Sequence, residues 1–331
     1  MGLEVGEGLS EQSLESVHRW DLLWRGREDQ KRREPWGDRL KIVNHDTPHA
    51  WLDALRWVMT QPGLLEGLPG GHAPLLQPHD PRLDALLTHD TAGLMELLSA
   101  PRAHKLGIAF EALMLWGLEK GLGYRCIVRD VQIQDGKRTM GALDFIMEAP
   151  DGSHEHWELA YKLFLQCDGG SEWSSWLGPR GRDRLDAKLN RMLTHQLPLS
   201  STPQAVATLM ALGVNHIAKR RLMVQGVLFS PWGDNPQRAT QGHQTAQGRW
   251  LRPSQIPALV DAHPNSRWVY RERPLWFGPW HGPEDPAVRS ELLTQTVGTD
   301  PLEYAQLWSR LPDPEHPVET PFFVVPENWA E

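Results

Sequence analysis

Apolar side chains first recur at helical spacing from Trp51: Trp51, Leu52, Leu55, Val58 and Met59 form one stripe, which Pro62 and Gly63 end. The pattern predicts a short helix there and two more over residues 82 to 99, the second capped by Asp90 or Thr91. Residues 103 to 120, AHKLGIAFEALMLWGLEK, form the strongest helical pattern in the chain. The period then drops to two. YRCIVRDVQI, TMGALDFIMEA and HEHWELAYKLFLQ read as three consecutive strands, parted by turn signals at Asp135-Gly136 and at Pro150-Asp151-Gly152. A helix from about Asp183 to Gln196, another from about Pro203 to Asn215, and a strand, RLMVQGVLFS, follow. The order helix, three strands, helices, strand predicts an α/β fold with a mixed central sheet flanked by helices.

Four segments differ in composition. Residues 1 to 47 mix charges of both signs without a sustained apolar period and read as a loosely ordered extension. Residues 48 to 230 hold the patterned core, 231 to 280 are rich in Trp, Pro and Gly and read as an attached subdomain, and 281 to 331 read as an acidic, Pro-rich tail. At 331 residues and 40% hydrophobic the chain can bury a core. No run of about 18 apolar residues is present, and the acidic start has no apolar stretch behind it, so the expectation is a cytoplasmic protein with no membrane partner. Cys126 and Cys167 are too few for a disulfide framework or a zinc thiolate cage.

Carboxylates inside apolar elements carry the chemistry. Glu111 lies in the strong helix on a face of small and apolar neighbours. Asp144 sits between Leu143 and Phe145 in the middle strand, and Glu158 between Trp157 and Leu159 in the third. Strand alternation puts Glu158, Ala160 and Lys162 on one face. A buried carboxylate must be paired, protonated or metal-bound. Oxygen ligands without thiolates suit Mg²⁺ or Mn²⁺, and a nearby lysine suits the activation of water for phosphodiester hydrolysis. An ion pair such as Glu158 to Lys162 is the plainer explanation of any one of these acids.

The element order, with Glu111 in the helix, Asp144 in GALDFI, and Glu158 and Lys162 in HWELAYKLFL, resembles the PD-(D/E)XK nuclease superfamily. The stretch from about Trp51 to Gly278, including KLGIAFEALMLW, LGPRGRDRLDAKLNRMLTHQL, GVLFSP and GRWLRPSQ, resembles the bacterial domain-of-unknown-function family DUF1853. The superfamily resemblance implies a restriction-endonuclease-like core, a divalent metal (Mg²⁺ or Mn²⁺) on Asp144 and Glu158, help from Glu111, and Lys162 near the attacking water. The implied function is metal-dependent hydrolysis of nucleic acid. One position departs from the pattern: Ala160 stands where the superfamily triplet has lysine, and Lys162 is roughly 13 Å from Glu158 along a strand. The alternative is therefore a degenerate nuclease-fold protein that serves as a binding or scaffold module.

Charge adds a candidate partner. Against a net charge of −8, residues 180 to 225 hold eight bases and two acids. Arg184, Lys188, Arg191 and His195 recur at helical spacing, opposite Leu185, Leu189, Met192 and Leu193, which suits phosphate contacts with nucleic acid or, more plainly, a solvated helix face. His154 and His156 could hold zinc, though a site beside a turn is more often solvated. Sixteen tryptophans stand against eleven Phe and Tyr; Trp173 and Trp176 could stack on bases, with core packing the better expectation. P-loop, nucleophile-elbow and zincin motifs are missing from the sequence.

Overall fold

The computed structural model describes residues 48–330 apart from 65–72, 90, 100–104, 168, 236–246, 272–275, 279–286 and 298–304. The extension expected over 1–47 lies outside the described residues. Helix α1 (Pro48–Thr60) buries its apolar stripe completely at Leu55, Val58 and Met59. Helix α2 (Pro81–Thr88) starts where the Asp80 carboxylate accepts the Arg82 amide and Pro81 presets the first turn. Helix α3 (Ala92–Leu98) follows with Thr91 at its cap position. Helix α4 (Leu106–Trp116) is the strong one, and a π-helical turn (Gly117–Gly121) ends it.

Strands β1 (Arg125–Asp135), β2 (Arg138–Glu148) and β3 (His154–Gln166) form an antiparallel meander. Gly136, at φ +59°, supplies the positive φ that a two-residue hairpin turn needs. After the two-residue β4 (Trp176–Leu177), which pairs with the end of β3, helix α5 (Leu185–Arg191) runs through a π-helical turn (Met192–Gln196) into α6 (Leu197–Leu199). Helix α7 (Pro203–Ala211), capped by the Thr202 hydroxyl, leads to β5 (Lys219–Pro231), which lies parallel to β3 along its length.

The same sheet continues beyond β5. β6 (Gly248–Leu251), α8 (Ile256–Ala262), β7 (Arg267–Arg271), β8 (Val288–Arg289), α9 (Ser290–Val297), β9 (Gln306–Arg310) and β10 (Thr320–Val324) complete a ten-stranded mixed sheet, ordered β1-β2-β3-β5-β6-β10-β9-β7-β8 with β4 on β3. The segment whose composition reads as an acidic tail thus supplies three strands and a helix.

Helices cover both faces at the centre. Trp157, Leu159, Tyr161, Leu163 and Leu165 of β3 pack in one core with α1 and α4, including Leu55, Phe110 and Leu113. Ala160 and Phe164 pack on the opposite face with Leu185, Leu189 and Met192 of the α5 segment. The alternation of β3 therefore feeds two cores, so from Trp157 to Leu165 its sequence is apolar on both faces except where Glu158 and Lys162 interrupt it. Among the described residues no helix is long and apolar enough to cross a membrane.

Candidate functional site

Register decides whether Asp144 and Glu158 can meet. The Ala149 amide donates to the Ser153 carbonyl at 2.8 Å, leaving a three-residue loop of Pro150, Asp151 and Gly152, with Gly152 at φ +79°. The Asp151 carboxylate holds the loop by accepting from the Ser153 amide and hydroxyl at 2.9 and 2.6 Å. A three-residue loop gives an even pairing sum, and Phe145 stands opposite Trp157 in the last ladder pair. Asp144 and Glu158 follow next along each strand, where that ladder has ended.

Beyond that pair β2 departs from β3. The Leu159 amide points into the gap, and Asp144 Oδ2 accepts it at 2.9 Å. Glu158 is fully buried; its Oε1 lies 2.8 Å from His156 Nε2, and its Oε2 accepts from Gln196 Nε2 at 2.9 Å. Lys188 Nζ donates to Gln196 Oε1 at 3.4 Å, which closes a chain from ammonium to amide to carboxyl.

Burial dominates the titration of this cluster. Desolvation and the Glu158 charge push Asp144 up to about 7. Desolvation pushes Glu158 to about 7 as well, against hydrogen bonds involving Asp144 and the Lys188 charge. Burial holds His156 down at about 4. Glu111 is raised to about 7 by desolvation and then by Asp144. Lys188 is lowered by burial and then by Lys162.

The metal assignment fails on this geometry. Among the described residues no group of three or more His, Cys, Asp or Glu side chains is placed to hold a metal ion. The Mg²⁺ or Mn²⁺ expected on Asp144 and Glu158 is therefore corrected, and with it the reading of the chain as a metal-dependent nuclease. Helix α4 packs against the face that carries Trp157 and Tyr161, and Glu111 feels Asp144 and Glu158 through their charge.

The remaining expected residues are spread out. Lys162 is on the Glu158 face, but its Nζ pairs with Asp183 Oδ2 at 2.9 Å in the loop before α5. Arg184 precedes α5 and donates to the Asp186 carboxylate. Lys188 turns toward the acids, whereas Arg191 is exposed. His195 Nε2 lies 3.2 Å from the Met140 carbonyl. His156 is fully buried and His154 lies 3.8 Å from Glu148, so the two histidines serve different carboxyls. Trp176 is fully buried and unavailable to a base.

Sequence reasoning missed Gln196 and the inward turn of Lys188. His156 was legible, since i and i+2 in a strand share a face. The contact between Gln196 and Glu158 depends on the π-helical turn over Met192–Gln196, for which the apolar period carries no signal.

Protonation makes the cluster's effect on stability testable. Between about pH 4 and 7 the folded chain keeps protons on Asp144 and Glu158 that the unfolded chain releases, so their contribution falls as pH rises through that window. His156 has the opposite sign between about 4 and 6.5, but it is one group against two. Asn at position 144 can still accept the Leu159 amide while removing the charge. Asp144→Asn should unfold in urea with a stability gain of about 2 kcal/mol at pH 8, and the gain should shrink by pH 5. A pH-independent loss would contradict the protonated cluster.

The family model for a domain of unknown function, DUF1853, matches residues 53–306. No curated protein and no solved structure matches the chain.

Proposed function

We propose that this chain, which belongs to the DUF1853 family, is a binding or scaffold module built on a PD-(D/E)XK nuclease fold whose catalytic centre has degenerated. The order α4, β1, β2, β3, α5 to α7, β5, with β5 parallel to β3, supports the fold. One observation carries the loss of chemistry: the two acids at the parting of β2 and β3 are satisfied by the Leu159 amide, His156 and Gln196. Protein groups already contact Asp144 Oδ2 and both Glu158 oxygens, which a cation would need. Ala160 stands where a catalytic lysine would be required, and Lys162 is committed to Asp183.

The partner we propose is a nucleic-acid backbone. Arg180, Arg182 and Arg191 are exposed and make no ion pair among the described residues, in a protein of net charge −8. Such contacts bind weakly and without sequence preference.

Two measurements test this reading. A metal bound at ten times its Kd would add about 1.4 kcal/mol to stability, so the melting midpoint should stay unchanged on titration with Mn²⁺. A saturable rise that Asp144→Asn removes would restore a metal site and reject the degenerate centre. For the partner, the affinity of a labelled DNA duplex should fall steeply with salt. Replacing Arg180, Arg182 and Arg191 with Gln should flatten the log–log slope by about 0.9 per lost phosphate contact. An unaltered slope would leave these arginines as solvated surface.

A further inference from the structure

A second polar site lies on the far part of the sheet, away from the acid cluster. Phe322 of β10 pairs with Arg249 of β6 on one side and Trp308 of β9 on the other, and Thr320 pairs with Arg310. Strand alternation therefore puts Arg249, Thr320, Phe322 and Arg310 on one face, with the two arginines on strands flanking β10. Helix α8 covers the next part of this face, where Leu251, Ile256 and Leu259 are buried, and ends at His263. Beyond the helix end the described residues form a cleft of about 440 Å³, lined by both arginines, His263, Thr320, Phe322 and Trp232.

The arginines are left incomplete. Arg310 is only 6% exposed. Its Nη1 lies 3.1 Å from His263 Nδ1 and its Nη2 donates to Thr320 Oγ1 at 3.1 Å, but its buried Nε has no acceptor among the described residues. Arg249 Nη1 is likewise buried without an acceptor among the described residues. No carboxylate among the described residues lies within ion-pair distance of either; Asp234, at the exposed rim, acts on Arg249 and Asp313 acts on Arg310 only through charge. A guanidinium stays charged at every working pH, and burying that charge without an anion is costly. Desolvation pulls both groups below the usual arginine range, with His263 lowered beside them.

We propose that this cleft binds a small organic phosphate, its phosphoryl oxygens bridging Arg249 and Arg310 and a flat ring resting on Trp232. Strands two apart in a sheet are separated by roughly 10 Å, a gap that one phosphate can span between two guanidinium forks. A phosphoryl group offers oxygens in several directions, whereas a lone carboxylate presents two in one plane. Trp232 is half-buried at the cleft wall and packed against the neighbouring core, and Asp234 at the rim can accept from ligand hydroxyls. The site is independent of the acid cluster and of the exposed arginines near α5.

Calorimetry of the whole chain with inorganic phosphate and with adenosine monophosphate, at constant ionic strength, tests the assignment. Both should give saturable heats, with the nucleotide binding more tightly. Arg249→Gln should weaken both by about tenfold or more, since it removes a charge-assisted contact. Trp232→Leu should weaken the nucleotide alone. If Arg249→Gln does not fold, the native protein's melting midpoint decides: it should rise with phosphate and not with chloride of equal ionic strength. Lack of saturable binding by either probe, or native affinity in Arg249→Gln, would overturn the site. Equal affinity for the two probes would overturn the organic-ligand assignment.

Discussion

Gly226→Ala should leave the chain without a cooperative unfolding transition. Gly226 sits inside β5 opposite Lys162 of β3, at φ +153°, a backbone region that L side chains rarely adopt. A Cβ built there would lie 1.6 Å from the Lys162 carbonyl oxygen and 2.7 Å from its carbon. These are backbone atoms of the central strand pair, so no side chain can swing aside. Relief requires β3 and β5 to part, and their parallel register also carries Glu158, opposite Leu222, to its place under α5. The cost should exceed about 4 kcal/mol, a large share of a domain's whole stability. Gly136→Ala is the control: it has open space around the new methyl and pays only for its positive φ, about 1 kcal/mol. Circular dichroism across a urea gradient separates the two. A Gly226→Ala protein that unfolds within about 1 kcal/mol of the native chain would contradict the β3 to β5 register.

Glu155→Leu should cost about 3 to 5 kcal/mol, because it strands a cation. The Glu155 side chain is fully buried. It accepts from Arg221 through two oxygens at 2.6 and 3.0 Å and from Trp157 Nε1 at 3.1 Å, and Lys219 Nζ lies 3.4 Å away. Arg221 also stacks on the Trp157 ring at 5.0 Å, so its head is held in place when the carboxylate is gone. The sign of the effect in a double variant tells a stranded charge from lost packing. Glu155→Leu with Arg221→Met should recover much of the loss, since an apolar pair of similar volume has no charge left to solvate. Urea midpoints of the two singles and the double close the cycle. Additive losses would mean that the pair contributes packing alone.

Both predictions turn on pairings between elements far apart in the chain, which is where the sequence is least legible. The α4 helix and the β1 to β3 meander were readable because each buries a face whose period is local: Phe110, Leu113 and Met114 in the helix, and alternate residues in the strands. A shared face for Asp144 and Glu158 could be written only as a condition on the loop, since Pro150-Asp151-Gly152 accommodates more than one loop length. The strands β9 and β10 were missed because QLWSR and TPFFV are five residues each, set among Pro and acidic residues that dominate the local composition. Their burial comes from pairing with β6 and β7, not from any pattern of their own.

The charged residues show the same division. Arg184, Lys188 and Arg191 have the spacing of one helix face, yet Arg184 lies ahead of the first helical turn, Lys188 is drawn to the buried acids and Arg191 stays in water. Long side chains on a partly buried helix go where the local charge and dielectric send them, which spacing does not encode. By itself, then, the sequence determined the order and kind of the central elements, because helix and strand periods are properties of the backbone. Only the tertiary structure decided that the Leu159 amide, His156 and Gln196 contact Asp144 and Glu158, and that two incompletely paired arginines share a cleft. Those outcomes depend on loop length, strand order and helix placement, which are settled by packing between segments that the chain itself keeps far apart.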